Sequence, residues 1–318
     1  MPKAFERALE LAERGRGKTH PNPVVGAVVV AGDEVVGEGW HERAGGPHAE
    51  ILALEAAGER APGATLYVTF EPCAHYGRTP PCVDAIVAAG VARVVVGAPD
   101  PNPKTDGQGF TRLREAGVEV ELLDGEPTRR ARRQNEAWRT WIATGRPFVT
   151  YKAAVTLDGR VVVPESRWVT GEVSRLRVHE LRAASDAVAV GMGTVRADSP
   201  RLDARDVETD RRPRRLAFGT GPLPAGSELE LVSGPLDEAL KRLAAEGVQS
   251  LLLEGGPTLA TSFLRQGLVD KLLLFVAPKL AGSGPRWVDD LGAALSLTGV
   301  EAERVGDDIL LTGYIREP

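Results

Sequence analysis

Apolar residues at positions 5, 8, 9 and 12 (Phe5, Ala8, Leu9, Ala12) recur at helical spacing and predict an amphipathic helix over residues 3–14, stopped by Gly15 and Gly17. Two prolines in Thr19-His20-Pro21-Asn22-Pro23 fix an extended loop, after which residues 24–30 and 34–40 pair as strands across Ala31-Gly32-Asp33. His48 follows Gly45-Gly46-Pro47 and opens a helix with Ile51, Leu52 and Leu54 on its apolar positions. Then come a strand at 65–70, a helix at 83–89, a strand at 93–97, a helix at 107–116 and a strand at 118–122. Strands alternating with helices predict an α/β fold, with five strands in a sheet flanked by helices. Residues 127–144 read as one long polar helix carrying Arg129, Arg130, Arg132, Arg133 and Arg139. It closes the domain as solvated surface, with phosphate binding as the alternative.

Gly145-Arg146-Pro147 breaks that helix and divides the chain into domains at 1–145 and 146–318. The pattern then restarts, with strands at 148–155, 161–163, 187–191, 215–218, 250–254, 271–277 and 309–314. Helices are expected at 173–183, at 236–245 and from the Gly255-Gly256-Pro257-Thr258 turn through 264. Glycines at a strand-to-helix turn let a phosphate approach backbone donors at the helix start. No Gly-x-Gly-x-x-Gly fingerprint is present, so the pattern alone gives a nucleotide-binding α/β domain.

A length of 318 residues favours two domains, and 42% hydrophobic with 26% charged residues is an ordinary globular balance. The net charge of −5 gives no general attraction to polyanions, so neither a nucleic acid nor a membrane is expected as partner. The first residues, Met1-Pro2-Lys3-Ala4-Phe5-Glu6-Arg7, lack the apolar core of a signal peptide, and no apolar run approaches a membrane span. A cytoplasmic protein is expected, in which the two Cys serve as ligands or free thiols rather than a disulfide.

Those two Cys carry the chemistry. His48-Ala49-Glu50, Glu71-Pro72-Cys73 and Cys82 supply one imidazole, two thiols and a nearby carboxylate. Three protein ligands leave the fourth tetrahedral position of zinc open to water, whose pKa falls to about 7 when bound. His48 and Glu50, two apart, converge only at the irregular first turn of a helix. Pro80 and Pro81 place Cys82 at the start of a second helix, where the dipole favours thiolate. Zinc deaminases use such a set with a non-ligand Glu two residues after the first ligand. Their thiolates usually stand two residues apart, whereas eight intervene here. The rival is a buried His with two structural thiols.

With Thr19-His20-Pro21-Asn22-Pro23-Val24-Val25-Gly26 and the whole stretch from Cys73-Ala74-His75-Tyr76-Gly77-Arg78-Thr79 to Pro80-Pro81-Cys82, the chain closely resembles the bifunctional riboflavin-biosynthesis deaminase/reductase family. The likeness continues through Asp100-Pro101-Asn102-Pro103, Gly107-Gln108-Gly109, Lys152-Ala153-Ala154 and Leu157-Asp158-Gly159. It extends to Gly193-Thr194-Val195, Ala197-Asp198, Glu254-Gly255-Gly256 and Ala277-Pro278-Lys279.

The resemblance implies a cytidine-deaminase-like three-layer α/β/α domain that hydrolytically removes an amine from a diaminopyrimidinone ribosylamine 5′-phosphate. It makes His48, Cys73 and Cys82 the zinc ligands and Glu50 the proton shuttle, while Asn22, His41 and His75 orient the base or phosphate. It further implies a dihydrofolate-reductase-like α/β domain in which NADPH opens the ribose to a ribityl chain, deamination coming first. The carried-over NADPH contacts are Ala154, Trp168, Thr194, Asp198, Thr220, Gly256, Pro257, Thr258, Leu259, Ala260, Thr261 and Ser262. The substrate contacts are Ser166, Arg182, Leu202, Arg205 and Glu254, with Lys152 protonating the ring oxygen. Arg182 and Arg205 suit a 5′-phosphate because guanidinium forks bind it bidentately. The region 206–236 is shorter than the family's, and Phe218-Gly219-Thr220 stands where Asp then Ser is common. Arg211, Arg212, Arg214 and Arg215 are nearby candidates for the cofactor's 2′-phosphate. The family also implies self-association through the reductase half.

Overall fold

The structure, a computed structural model, describes residues 2–76, 80–102, 105–164, 166–209 and 211–318. Met1, Gly77, Arg78, Thr79 and Pro103, named above in sequence motifs, lie outside the described residues. The chain forms two compact units, the first ending at Thr144 and the second running from Gly145 to Glu317.

In the first unit the elements follow as α1 (Lys3–Glu13), β1 (Gly26–Ala31), β2 (Glu34–Trp40), α2 (Ala49–Ala57), β3 (Thr65–Val68), α3 (Cys82–Ala88), β4 (Arg93–Val96), α4 (Gln108–Glu115), β5 (Glu119–Leu122), α5 (Glu126–Gln134) and α6 (Glu136–Thr144). The sheet has the order β2-β1-β3-β4-β5, with β1 antiparallel to both neighbours and β3, β4 and β5 parallel. Period-two alternation sorts the strand residues between two layers. Ala27, Val29, Leu66, Val68, Val94 and Val96 pack with α2, α3 and α4, while Val28 and Tyr67 turn to Ala8 and Leu11 of α1. Helix α2 lies so close to the hairpin that a Cβ at Gly37 or Gly39 would overlap the carbonyl oxygens of Ala53 and Ala49.

The expected single helix over 127–144 is two helices, broken at Asn135 (φ −115°, ψ 27°). The buried Asn135 amide satisfies both backbone groups of Val24, accepting from its N–H and donating to its carbonyl at 2.9 Å each. That tertiary contact outweighs one more turn of helix. Nor is the arginine run a free cationic face. Arg129 pairs with Glu126, Arg130 with Glu6, and the buried Arg139 donates to Pro99 O at 2.7 Å.

The second unit comprises β6 (Phe148–Thr156), α7 (Glu172–Ala184), β7 (Ala187–Gly191), α8 (Met192–Asp198), β8 (Arg214–Phe218), β9 (Glu230–Val232), α9 (Leu236–Ala245), β10 (Ser250–Leu253), α10 (Pro257–Arg265), β11 (Lys271–Ala277), β12 (Thr298–Val305) and β13 (Asp308–Tyr314). Its sheet runs β12-β13-β11-β6-β10-β7-β8-β9, parallel from β11 to β9 and antiparallel at the β12-β13-β11 edge. Val149, Tyr151, Ala153 and Val155 of β6 face Leu240, Leu243, Phe263 and Leu264 of α9 and α10. On the opposite face Val188, Val190 and Leu252 pack with Met192 and Val195 of α8 and Leu202.

The second unit departs from the expected pattern in two ways. Residues 161–163 form no strand: Arg160 bridges Arg286, Val163 bridges Ser166, and no ladder follows. Helix α8 and strands β9 and β12 were absent from the pattern, β12 because its side chains are almost all exposed. Among the described residues no helix is long and apolar enough to cross a membrane.

Replacing Asn135 with Ala strands the N–H and carbonyl of Val24 in the interior. We expect a loss of about 2–3 kcal/mol in the stability of the first unit, measured by urea unfolding.

Candidate functional sites

The ligand atoms of His48, Cys73 and Cys82 all lie within 4.8 Å of one another. His48 is the N-cap of α2, in extended conformation, so its imidazole can leave the helix axis while Glu50 stays in the first turn. Cys82 is the first residue of α3, placed there by Pro81 at the cap. Cys73 follows β3 on an irregular segment, and its sulfur accepts the Cys82 N–H at 3.3 Å. His48 Nδ1 lies 3.1 Å from Cys82 Sγ and 3.6 Å from Cys73 Sγ.

The three groups lie close enough to compete for protons, which a bound metal ion would displace. Hydrogen bonding from the Cys82 thiol, then from His48, holds Cys73 down to about 4, against the effect of its burial. The shared proton and burial push Cys82 up. Both cysteines are free. One imidazole and two adjacent sulfurs, soft and borderline donors, fit zinc. Glu50 is 3% exposed, and burial raises its carboxyl to about 7, with His48 opposing. A carboxyl so tuned moves protons near neutral pH.

Around this cluster His41 Nδ1–H donates to Pro47 O at 2.9 Å, and its Nε2 stands 3.3 Å from the Asn22 amide. Burial lowers the His41 pKa, so it is the neutral ring that packs edge-on against His48 at 5.5 Å. His75 is exposed. Glu71 is a residue the sequence reading passed over. Buried beside Cys73's segment, its carboxylate accepts the N–H groups of Asp100 at 3.0 Å, Gly107 at 3.3 Å and Gly109 at 3.0 Å. The only local hint was its place in Glu-Pro-Cys.

In the second unit a cavity of about 1100 Å³ opens beside the C-terminal ends of the parallel strands. Of the residues expected to hold cofactor, it brings together Ala154, Trp168, Thr194, Asp198, Gly256, Pro257, Thr258 and Leu259. Thr220, Ala260, Thr261 and Ser262 do not line it: Ala260 is in the core, Thr261 Oγ1 accepts from Asp289 N, and the Thr220 carbonyl accepts from Arg196. The start of α10 has no side-chain cap, and a Cβ at Gly256 would meet Thr194 Oγ1 at 3.0 Å. A bare helix start beside a cavity of this size fits the phosphates of a dinucleotide.

Of the expected substrate contacts, Arg182, Arg205 and Glu254 line the cavity, whereas Ser166 and Leu202 do not. Leu202 (φ 55°) is buried against α8. The fork of Arg182 is not open to phosphate: Nε and Nη2 grip Glu254 at 2.6 and 3.0 Å, and Nη1 donates to Asp203 O. Lys152 Nζ lies 3.6 Å from the same carboxylate. Burial alone would raise Glu254, but Lys152 and Arg182 outweigh it and hold it below the usual carboxylate range. Near them, His179 Nδ1 is 3.1 Å from Asp203 O; it sits three residues before Arg182 on α7, a spacing that could have flagged it. The arginines expected near a 2′-phosphate are engaged elsewhere: Arg211 with Asp186, Arg214 with Glu230 and Glu246, Arg215 with Glu228. Arg212 does not line the cavity.

The fold and the two sites define a two-domain enzyme, a zinc-type pyrimidine deaminase joined to a reductase. Residues 2–98 match the cytidine and deoxycytidylate deaminase zinc-binding region, and residues 147–311 match the RibD C-terminal domain. The chain belongs to the RibD family of bifunctional riboflavin-biosynthesis enzymes. It is 41% identical to the riboflavin biosynthesis protein RibD of Aquifex aeolicus, over 96% of this chain and 95% of that one, and 40% identical to that of Escherichia coli, over 96% of each. Among solved structures, Acinetobacter baumannii RibD superposes with a TM-score of 0.86 at 37% identity over 98% of each chain. The diaminohydroxyphosphoribosylaminopyrimidine deaminase/5-amino-6-(5-phosphoribosylamino)uracil reductase of Thermotoga maritima gives 0.83 at 33% identity, over 98% of this chain and 97% of that one.

Glu254→Gln leaves Arg182, only 14% exposed at its side chain, opposite a neutral amide and should cost about 3 kcal/mol in urea unfolding at pH 7. Because the folded carboxyl titrates below its unfolded value of about 4.3, wild-type stabilisation is complete above that pH and lost as pH falls through the lower folded value. The difference between wild type and variant should therefore shrink only below about pH 4.3.

Proposed function

We propose that residues 1–145 deaminate a diaminopyrimidinone ribosylamine 5′-phosphate by hydrolysis and that residues 146–318 then reduce its ribosyl group to ribityl phosphate with NADPH. The observation that carries this reading is the buried Glu50 carboxyl, tuned to about 7, beside the converging His48, Cys73 and Cys82. His48, Cys73 and Cys82 hold zinc, which supplies a Lewis acid that activates water near neutral pH. Glu50 takes the water's proton on its carboxylate and returns it to the departing amine nitrogen, so the leaving group is ammonia rather than amide ion. Asn22 and His41, joined to each other, orient the base.

In the second unit the bare start of α10, with Gly256 to Leu259, binds the dinucleotide phosphates, and Trp168, Thr194 and Asp198 complete the cofactor's surroundings. NADPH supplies the hydride. Lys152, 3.6 Å from the Glu254 carboxylate, donates a proton to the ribose ring oxygen as the ring opens. Arg205, whose Nη1 touches only Asp203 among the described residues' hydrogen bonds, is the guanidinium that receives the substrate phosphate, because the fork of Arg182 is taken by Glu254. The protein acts in the cytoplasm, on a small molecule rather than a nucleic acid or a membrane, and self-associates through the reductase half. The paired arginines of α5 support that choice over a polyanion partner.

Mass spectrometry of the diaminopyrimidinone substrate after incubation with zinc-loaded protein should show oxygen replacing one amine without NADPH, and two added hydrogens only with it. Glu50→Gln should retain one zinc per chain and lose about 10³-fold in deamination. Reduction of the pre-deaminated compound should be unchanged. Equal deamination by this variant would remove Glu50 from the mechanism.

A further inference from the structure

The stretch between β6 and α7 supplies a wall of the cavity through Val161, Val162, Trp168, Val169 and Thr170, yet it belongs to no helix or strand. Most of its described side chains are exposed. A wall with so little apolar burial is held by polar contacts, and its order depends on where those contacts end. Its far end is fixed: Arg175 donates to Thr170 O at 3.0 Å, and Gly171 N–H to Asp308 at 2.8 Å. Over residues 166–169, the hydrogen bonds arriving from outside the stretch, among the described residues, come from one side chain. Lys279 Nζ donates to Val169 O at 2.7 Å and to Trp168 O at 3.3 Å.

Lys279 is itself held from behind. Its carbonyl accepts the Leu157 N–H at 2.9 Å, and its own N–H donates to Ala277 O at 2.8 Å. The next turn is clamped by Asp158, whose two carboxylate oxygens accept the N–H groups of Ala281 and Gly282 at 3.0 and 2.8 Å. Thr156 Oγ1 donates to Asp158 at 2.6 Å, which with the two N–H groups holds that carboxyl down to about 2. A continuous set of contacts thus runs from the turn after β6, through the loop after β11, to the cavity wall. It gives a purpose to Leu157-Asp158-Gly159 and Ala277-Pro278-Lys279, neither of which the catalytic reading uses.

We propose that Lys279 is a positioning residue that tethers the wall at 168–169 and so presents Trp168 to the bound pyridine nucleotide. This rests on reading the cavity as the NADPH site. The ammonium suits the task because its three donors rotate to meet two successive carbonyls that point to one side. Methionine at 279 keeps the aliphatic stem and loses every donor, whereas arginine can still reach both oxygens.

The test compares wild type, Lys279→Met and Lys279→Arg in the full chain, by calorimetric titration with NADPH, steady-state reduction and hydrogen exchange read by mass spectrometry. Lys279→Met should raise the NADPH Kd and KM about tenfold, the scale of a lost charge-assisted hydrogen bond, with kcat at saturation unchanged. Exchange should quicken in the peptide over 161–170 and nowhere else, and Lys279→Arg should restore most of both effects. An unchanged kcat at saturating NADPH reports that the second unit is folded. If Lys279→Met does not fold, Asp158→Asn should give the same changes in smaller measure. Unchanged exchange over 161–170 with unchanged Kd overturns the tether. Wild-type protein that binds zinc but no pyridine nucleotide overturns the reading of the cavity, and with it the ligand named here.

Discussion

The deaminase site depends on how closely α2 can approach the β1-β2 hairpin. Gly37 and Gly39 present no side chain to it, so the carbonyls of Ala49 and Ala53 sit where a Cβ would otherwise stand. Every ångström of that approach sets where α2 begins, and its beginning sets His48 and Glu50. A helix pushed outward would carry the imidazole away from two sulfurs whose positions are fixed by other elements, Cys82 by the start of α3 and Cys73 by the chain leaving β3. The metal cluster is therefore a property of the packing of backbone on backbone, and only secondarily of the residues that supply its donors.

Both units place charge where water is scarce, and each resolves the cost differently. In the first, Glu50 is buried without a cationic partner other than the imidazole, so its carboxyl rises toward neutrality. In the second, the Glu254 side chain is 8% exposed, but Lys152 and Arg182 hold its carboxyl below the usual range. One burial yields a titrating group and the other a fixed anion. The same contrast separates a carboxyl that titrates near neutral pH from one that holds two cations in place.

Much of this was legible in the sequence. The His48, Glu50, Cys73 and Cys82 constellation is local enough that helix starts and prolines position it, and the alternation of strands and helices carried through both units. What escaped was set by partners far away in the chain. The break between α5 and α6 exists because Asn135 meets Val24 across 111 positions, a contact with no local signature. Val161 to Val163 has the composition of a strand but makes only an isolated bridge, from Val163 to Ser166. Strand β12 pairs with β13 across a register shift between Thr298 and Glu301, and it shows no alternation because its side chains face solvent. The commitment of Arg182 to Glu254 joins residues 72 positions apart, and a guanidinium looks the same in sequence whether its fork is free or taken.

Glu71 adds a connection of another kind. Its single carboxylate gathers N–H groups from Asp100, Gly107 and Gly109, the last 38 positions away, and so fastens the ends of a long excursion of chain that contains Cys82 and all of β4. It is a crosslink in the topological sense: it closes a loop, and it reduces the freedom of everything inside that loop. Unlike a disulfide it asks for no oxidant and yields to no thiol, so the two cysteines stay free to bind metal while the loop that bears them remains fastened.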